Sequence, residues 1–250
     1  MNGNLLVFFS HGEKGGVGKT AVASAAIDLL LASGRRVAVI EGDTDNADIA
    51  QRYSGAANVL KKVRLSDPSE YQRAVNDLVT FLAECMESGE IDAVVVNMPA
   101  GAYTTIDRDI DVLADAFINL DLDISVAIST GNTDHSITRT VKIATEGIGG
   151  LGKKLILAPE FLKDESLVEK IESQGHGLSA SIYPRLSSDT MQVILDHPTS
   201  TLKCLTLPDG PIKSPIQRIR IAGYLRQAKA VLEPLMGGLV DADAFCKSKT

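Results

Sequence analysis

The chain has 250 residues, with 25 Lys and Arg against 32 Asp and Glu for a formal charge of −7, and 44% of it is apolar. That profile fits a soluble globular protein with a sizeable core and excludes a disordered, fibrous or membrane-spanning chain. The acidic balance excludes a surface coated with basic charge for nucleic acid, though not a local basic patch.

In chain order, Leu5–Phe9 reads as a buried strand, too short and too poor in basic flanks for a signal segment, so a cytoplasmic protein is expected. A Gly-rich turn follows. Lys19–Ser33 then sets Val22, Ala25, Ala26, Leu29 and Leu30 on one helical face, with Gly34 as the stop. Val37–Ile40 is a second buried strand, so these residues form a right-handed βαβ unit. Further strands are expected at Ala93–Val96, Ser125–Ile128, Leu155–Ala158 and Ser179–Tyr183. Helices are expected at Tyr71–Ser88, Asp134–Glu146, Asp164–Ser173, Ser188–Leu195 and, near the end, Ile216–Leu235. This alternation predicts one α/β domain, a mostly parallel twisted sheet with helices on both faces. The three cysteines (Cys85, Cys204, Cys246) and four histidines are scattered without ligand spacing, and neither a disulfide framework nor a zinc site is expected.

The segment Glu13-Lys14-Gly15-Gly16-Val17-Gly18-Lys19-Thr20 carries the chemistry. It lies between a buried strand and a helix start, where glycines let backbone N–H groups converge on phosphate oxygens and the helix dipole favours the same anion. Lys19 would bridge the β- and γ-phosphates, and the Thr20 hydroxyl would ligate Mg²⁺. Glu13 stands where the standard pattern has its first glycine. The run Gly147-Ile148-Gly149-Gly150-Leu151-Gly152 matches GxGxxG but follows a helix and precedes a strand, and so reads as a helix stop and turn.

Lys14-Gly-Gly-Val-Gly-Lys-Thr resembles the deviant phosphate loop of the ParA/MinD family of P-loop ATPases. The resemblance implies a P-loop NTPase domain of the SIMIBI type over 1–237, followed by a polar tail at 238–250. It places ATP on Gly15, Gly16, Val17, Gly18, Lys19, Thr20 and Ala21. Lys14 becomes the charge that reaches a partner subunit's phosphates across a nucleotide-sandwich homodimer, so that hydrolysis is coupled to assembly.

Two later segments follow the family order. In Glu41-Gly42-Asp43-Thr44-Asp45, Asp43 falls on the aspartate that positions the attacking water near Mg²⁺, which makes Lys14, Lys19 and Asp43 the expected catalytic residues and Thr20 and Asp43 the metal ligands. Ile91–Gly101 is similar to the family's Walker B strand and Asp-x-Pro-Ala-Gly turn, but Asn97 replaces the aspartate. An amide keeps an acceptor and removes the charge, so weakened Mg²⁺ use and slow ATPase turnover are expected, with Asn97→Asp raising it. Ser181–Arg185 resembles the loop that lies against the base, which places Pro184 there; a plain strand-to-helix turn is an equal reading.

The resemblance implies an ATP-driven dimer switch in plasmid or chromosome partition or a related DNA-segregation or conjugation process, with partner-stimulated hydrolysis. Arg218, Arg220, Arg226 and Lys229 on the last helix are a candidate nonspecific DNA face or, equally, a solvated face of a core helix. The polar stretch Asp241–Thr250 has no apolar face for a membrane. The alternatives are a MinD-like positioning factor read only by proteins, or a nucleotide-binding protein in which Asn97 impairs hydrolysis.

Overall fold

The computed structural model describes residues 4–175 and 177–237. The tail 238–250, including Cys246, lies outside the described residues, as does His176. In chain order the first half comprises β1 (Leu6–Gly12), α1 (Lys19–Ala32), β2 (Val37–Glu41), α2 (Asp48–Tyr53), β3 (Val59–Lys62), α3 (Tyr71–Ser88), β4 (Ala93–Asn97) and α4 (Ile110–Asn119). The second half comprises β5 (Asp123–Ser129), α5 (Asp134–Thr145), β6 (Lys153–Pro159), α6 (Leu167–Gln174), β7 (Ala180–Tyr183), α7 (Ser188–Leu195), α8 (Leu202–Thr206) and α9 (Pro215–Met236).

The strands form one sheet in the order β3-β2-β4-β1-β5-β6-β7, and every neighbouring pair is parallel. The expected architecture is therefore present, with a sheet that is wholly rather than mostly parallel. The period-2 pleat explains why central strands read as unbroken apolar runs. Val7 and Phe9 of β1 point into a core shared with α3, α4, α5 and α6. Leu6 and Phe8 point into the opposite core, closed by α1, α8 and α9.

β1 lies between β4 and β5, so all chain ends leaving β1, β2 and β4 meet at one edge of the sheet. Crossovers diverge there, and this is where open α/β sheets form their binding crevice. α1 is buried along nearly its whole length, from Val22 to Leu30. The one acidic residue inside it, Asp28, is satisfied: it accepts hydrogen bonds from the Tyr53 hydroxyl, Leu202 N (3.0 Å) and Lys203 N (2.8 Å). The carboxyl thus fixes α2 and α8 to the helix that follows the phosphate loop.

Candidate functional site

The loop between β1 and α1 is set by glycine. Gly16 and Gly18 adopt φ of +75° and +97°, conformations that side chains disfavour. A Cβ added at Gly15 or Gly16 would enter open space, so these backbones have no packed neighbour on that side. Gly18 caps α1 without any side-chain hydrogen bond, whereas α5, α8 and α9 are capped by Thr133, Thr201 and Ser214. The first N–H groups of α1 therefore have no side-chain acceptor from a cap, the state in which a helix N-terminus can accept an anion.

Lys19 is buried at the start of α1, and its Nζ donates to Lys14 O at 2.6 Å. Burial lowers its pKa, while Asp43 and Glu13 act in the opposite direction. The structure thus brings Lys14, Lys19 and Asp43 to one place. Thr20 is exposed beside them, and Val17 is buried beneath the loop. Ala21 is half-buried, its carbonyl accepting from the Tyr224 hydroxyl at 3.1 Å. Pro184 follows β7 near the sheet edge; its neighbour Arg185 donates its N–H to Glu160 at 3.0 Å. Phe161, exposed on the turn after β6, approaches Gly18: a Cβ there would lie 3.7 Å from its ring.

Within one chain, Lys14 Nζ donates to Ser136 Oγ at 3.1 Å and lies 3.6 Å from Glu13 Oε1. Ser136 Oγ in turn donates to the buried Glu13 at 2.5 Å. The odd residue of the loop, Glu13, is therefore a fixed acceptor for α5 and for Lys14. Ser136 was not legible as a site residue because no local motif marks it.

Glu41 and Asn97 end the adjacent strands β2 and β4 in direct register. Glu41 is fully buried and accepts from Asp43 N (3.1 Å), Ile49 N (3.1 Å), Ala50 N (3.2 Å) and Asn97 Nδ2 (2.8 Å). Burial raises its pKa, against the hydrogen bonds from Asn97 and the backbone. This geometry adds a cost to Asn97→Asp that the sequence did not show. An aspartate at 97 would set a second carboxylate against a buried one, and like charges at that spacing are unfavourable.

Among the described residues no cluster of three or more His, Cys, Asp or Glu is suited to a metal. A divalent ion here would depend on substrate phosphates and a few protein oxygens, as Mg²⁺ commonly does. The residues fit such an ion. Thr20 and Asp43 flank the loop, and Asn97 Oδ1 and Thr44 Oγ1 are buried with no hydrogen-bond partner in the structure.

Behind the loop, the buried His11 accepts from Gly12 N at Nδ1 (2.7 Å), which places its proton on Nε2, 3.9 Å from Asp107 Oδ2. Burial, then Lys19, lowers His11 to about 4, and burial raises Asp107 to about 6. As pH falls from 6.5 to 4, the unfolded chain binds a proton that folded His11 refuses, which costs stability. Over the overlapping window from 6 to 3.8, folded Asp107 binds its proton first, which adds stability as pH falls. The two effects oppose each other. Asp107→Asn should leave the His11 effect alone, so that urea stability falls with a limiting slope of about 1.4 kcal/mol per pH unit between pH 6 and 4.5. An unchanged pH profile would contradict this assignment.

No family model matches the chain, and no curated protein matches its sequence. Solved structures match its fold. A ParA family ATPase from Chlorobium tepidum TLS superposes with a TM-score of 0.53 at 16% identity, covering 89% of this chain and 98% of that one. McdA from Cyanothece, in an ATP complex, gives 0.54 at 14% identity over 95% and 99% of the two chains. A chain of the MinC:MinD cell division protein complex from Aquifex aeolicus gives 0.52 at 15% identity over 92% and 96%. The chain therefore has a P-loop NTPase fold, with its Gly-rich loop after the central strand. Within that class, the fold is that of the ParA and MinD ATPases.

Proposed function

We propose that the chain is an ATP-dependent dimerising switch of the ParA/MinD type with slow ATPase activity. The observation that carries this reading is the loop itself: two lysines, Lys14 and Lys19, on one glycine cradle at the start of an uncapped α1. One cation suffices to hold phosphates in place. A second, half-exposed one is suited to phosphates arriving from another subunit, as an arginine finger would be.

In this reading Lys19 moves from the Lys14 carbonyl to the β- and γ-phosphates, and the backbone of Gly15–Ala21 holds the remaining oxygens. Thr20 and Asp43 would hold Mg²⁺, which would supply charge neutralisation at the phosphates. Asp43 orients the attacking water. Lys14 leaves Ser136 and Glu13 to stabilise transition-state charge in the partner.

The output of the switch is DNA segregation or the positioning of a protein cargo. On α9, Arg218 donates to Pro208 O (2.8 Å) and Arg220 to Asp189 (2.6 Å), so both guanidinium groups are engaged within the chain. Ile216 and Ile219 of the same helix are 63% and 65% exposed. This favours a protein partner as the second reading, in line with the MinC:MinD complex among the structural neighbours. No helix among the described residues is long and apolar enough to cross a membrane. DNA retardation with and without ATP over a salt series separates the two outputs. A partition role predicts an ATP-dependent shift that weakens steeply with salt; no shift at low salt would sink it and leave the protein-partner reading.

A further inference from the structure

We propose that Glu41 is a positioning residue for Asn97, and that the two form a carboxylate–carboxamide pair which presents a neutral oxygen, Asn97 Oδ1, to the metal side of the nucleotide site. This rests on the nucleotide reading above. It explains why an amide stands at the end of β4.

An ionised carboxylate has only acceptors, and Glu41 is surrounded by four N–H donors, three from the backbone and one from Asn97. The Asn97 carboxamide therefore has one orientation. Its NH₂ must face Glu41, and its oxygen must face away. That oxygen is buried and has no hydrogen-bond partner, a costly state unless a ligand or its water supplies the donor.

The neighbouring strand places the residue that carries this oxygen. Asn97 is in register with Ser10 of β1, whose Oγ donates to Lys19 O at 2.8 Å, one residue before Thr20. Tight backbone contact fixes the other side: Gly42 N donates to Asn97 O at 2.9 Å, and a Cβ at Gly42 would come within 2.6 Å of that oxygen. The pair cannot slide apart without moving both strand ends. Glu41 also holds Ile49 N and Ala50 N at the start of α2, so the same carboxylate ties the Asp43 loop to Asn97.

The pair has a defined alternative of equal shape. In Glu41→Gln/Asn97→Asp the amide and the carboxylate exchange strands and the hydrogen bond between them reverses, while Asp43 N, which shares Oε1 with Asn97, loses its acceptor. The test is a calorimetric titration of ATP with and without Mg²⁺ on four proteins: wild type, Glu41→Gln, Asn97→Asp and the paired swap. The quantity read is the ratio of the two affinities, which a merely structural role of Glu41 would leave alone.

Freeing the carboxamide in Glu41→Gln should lower the Mg²⁺ ratio by about threefold to tenfold. The paired swap should raise it about tenfold above wild type, because a charge-assisted bond replaces a neutral one. Asn97→Asp alone should lower the melting temperature, and the swap should restore part of the loss, since Asp43 N is left without its acceptor. If Asn97→Asp fails to fold, the other three proteins still carry the comparison. Equal ratios in wild type, Glu41→Gln and the swap would overturn the proposal. A wild-type chain that binds no ATP under either condition would instead overturn the nucleotide reading beneath it.

Discussion

Lys19→Ala is expected to abolish nucleotide binding while leaving the fold in place. The ammonium is buried, its pKa is lowered by that burial, and it gives its hydrogen bond to the Lys14 carbonyl at 2.6 Å. A desolvated cation held this way contributes little to folding and a great deal to a phosphate that replaces the carbonyl. Losing a buried charge-assisted contact costs about 2–5 kcal/mol, so ATP affinity should fall on the order of 100-fold or more. The check is a melting scan. Saturating ATP should raise the wild-type midpoint by mass action and leave that of the variant unmoved. An ATP-induced rise in Lys19→Ala equal to that of wild type would remove the loop from the binding site.

Lys14→Ala is expected to do the opposite, sparing binding and removing the consequence of binding. Lys14 is 45% exposed at its side chain, but its partners Glu13 and Ser136 are buried. Its loss leaves the buried Glu13 carboxylate with the Ser136 hydroxyl as its side-chain donor, so the melting temperature should fall while the chain still folds. A cation supplied across an interface to developing phosphate charge is worth about 10³–10⁵ in rate. The variant should therefore bind ATP with near wild-type affinity, remain monomeric and show no hydrolysis above background. Dimerisation and turnover at wild-type levels would mean that the Glu13–Ser136 contact is the final position of Lys14.

What could be read from the sequence follows from where the signal is local. Tyr71–Ser88 and Ser188–Leu195 match α3 and α7 end to end, because an amphipathic stripe and its stop signals lie in one stretch of chain. β1 runs three residues past the expected Phe9, through the buried Ser10, His11 and Gly12, because polar residues at a strand end resemble a turn. α6 begins at Leu167, three residues after the expected Asp164. β3 was missed because Val59–Lys62 is an edge strand with mostly exposed residues and no burial pattern. The expected elements lack α2, α4 and α8 as well. α2 has six residues, and its N-terminus is secured by the Glu41 carboxylate, a tertiary contact invisible to a helix pattern.

The site divides the same way. The loop proposed to hold phosphates is eight consecutive residues, and its order alone suggests that chemistry. The Glu13–Ser136 and Glu41–Asn97 contacts join residues 123 and 56 positions apart, and they exist only because the sheet order places β4 between β2 and β1 and packs α5 beside the loop. Asn97 read as a loss when taken alone, since a carboxylate was expected there. Its partner on β2 makes it half of a pair.

The most direct test of the account is the mass of the wild-type chain in solution, measured by sedimentation with a nonhydrolysable ATP analogue and Mg²⁺, with ADP, and without nucleotide. The account predicts a dimer with the analogue alone and a monomer in the other two conditions. A chain that binds the analogue to saturation and sediments as a monomer would contradict it.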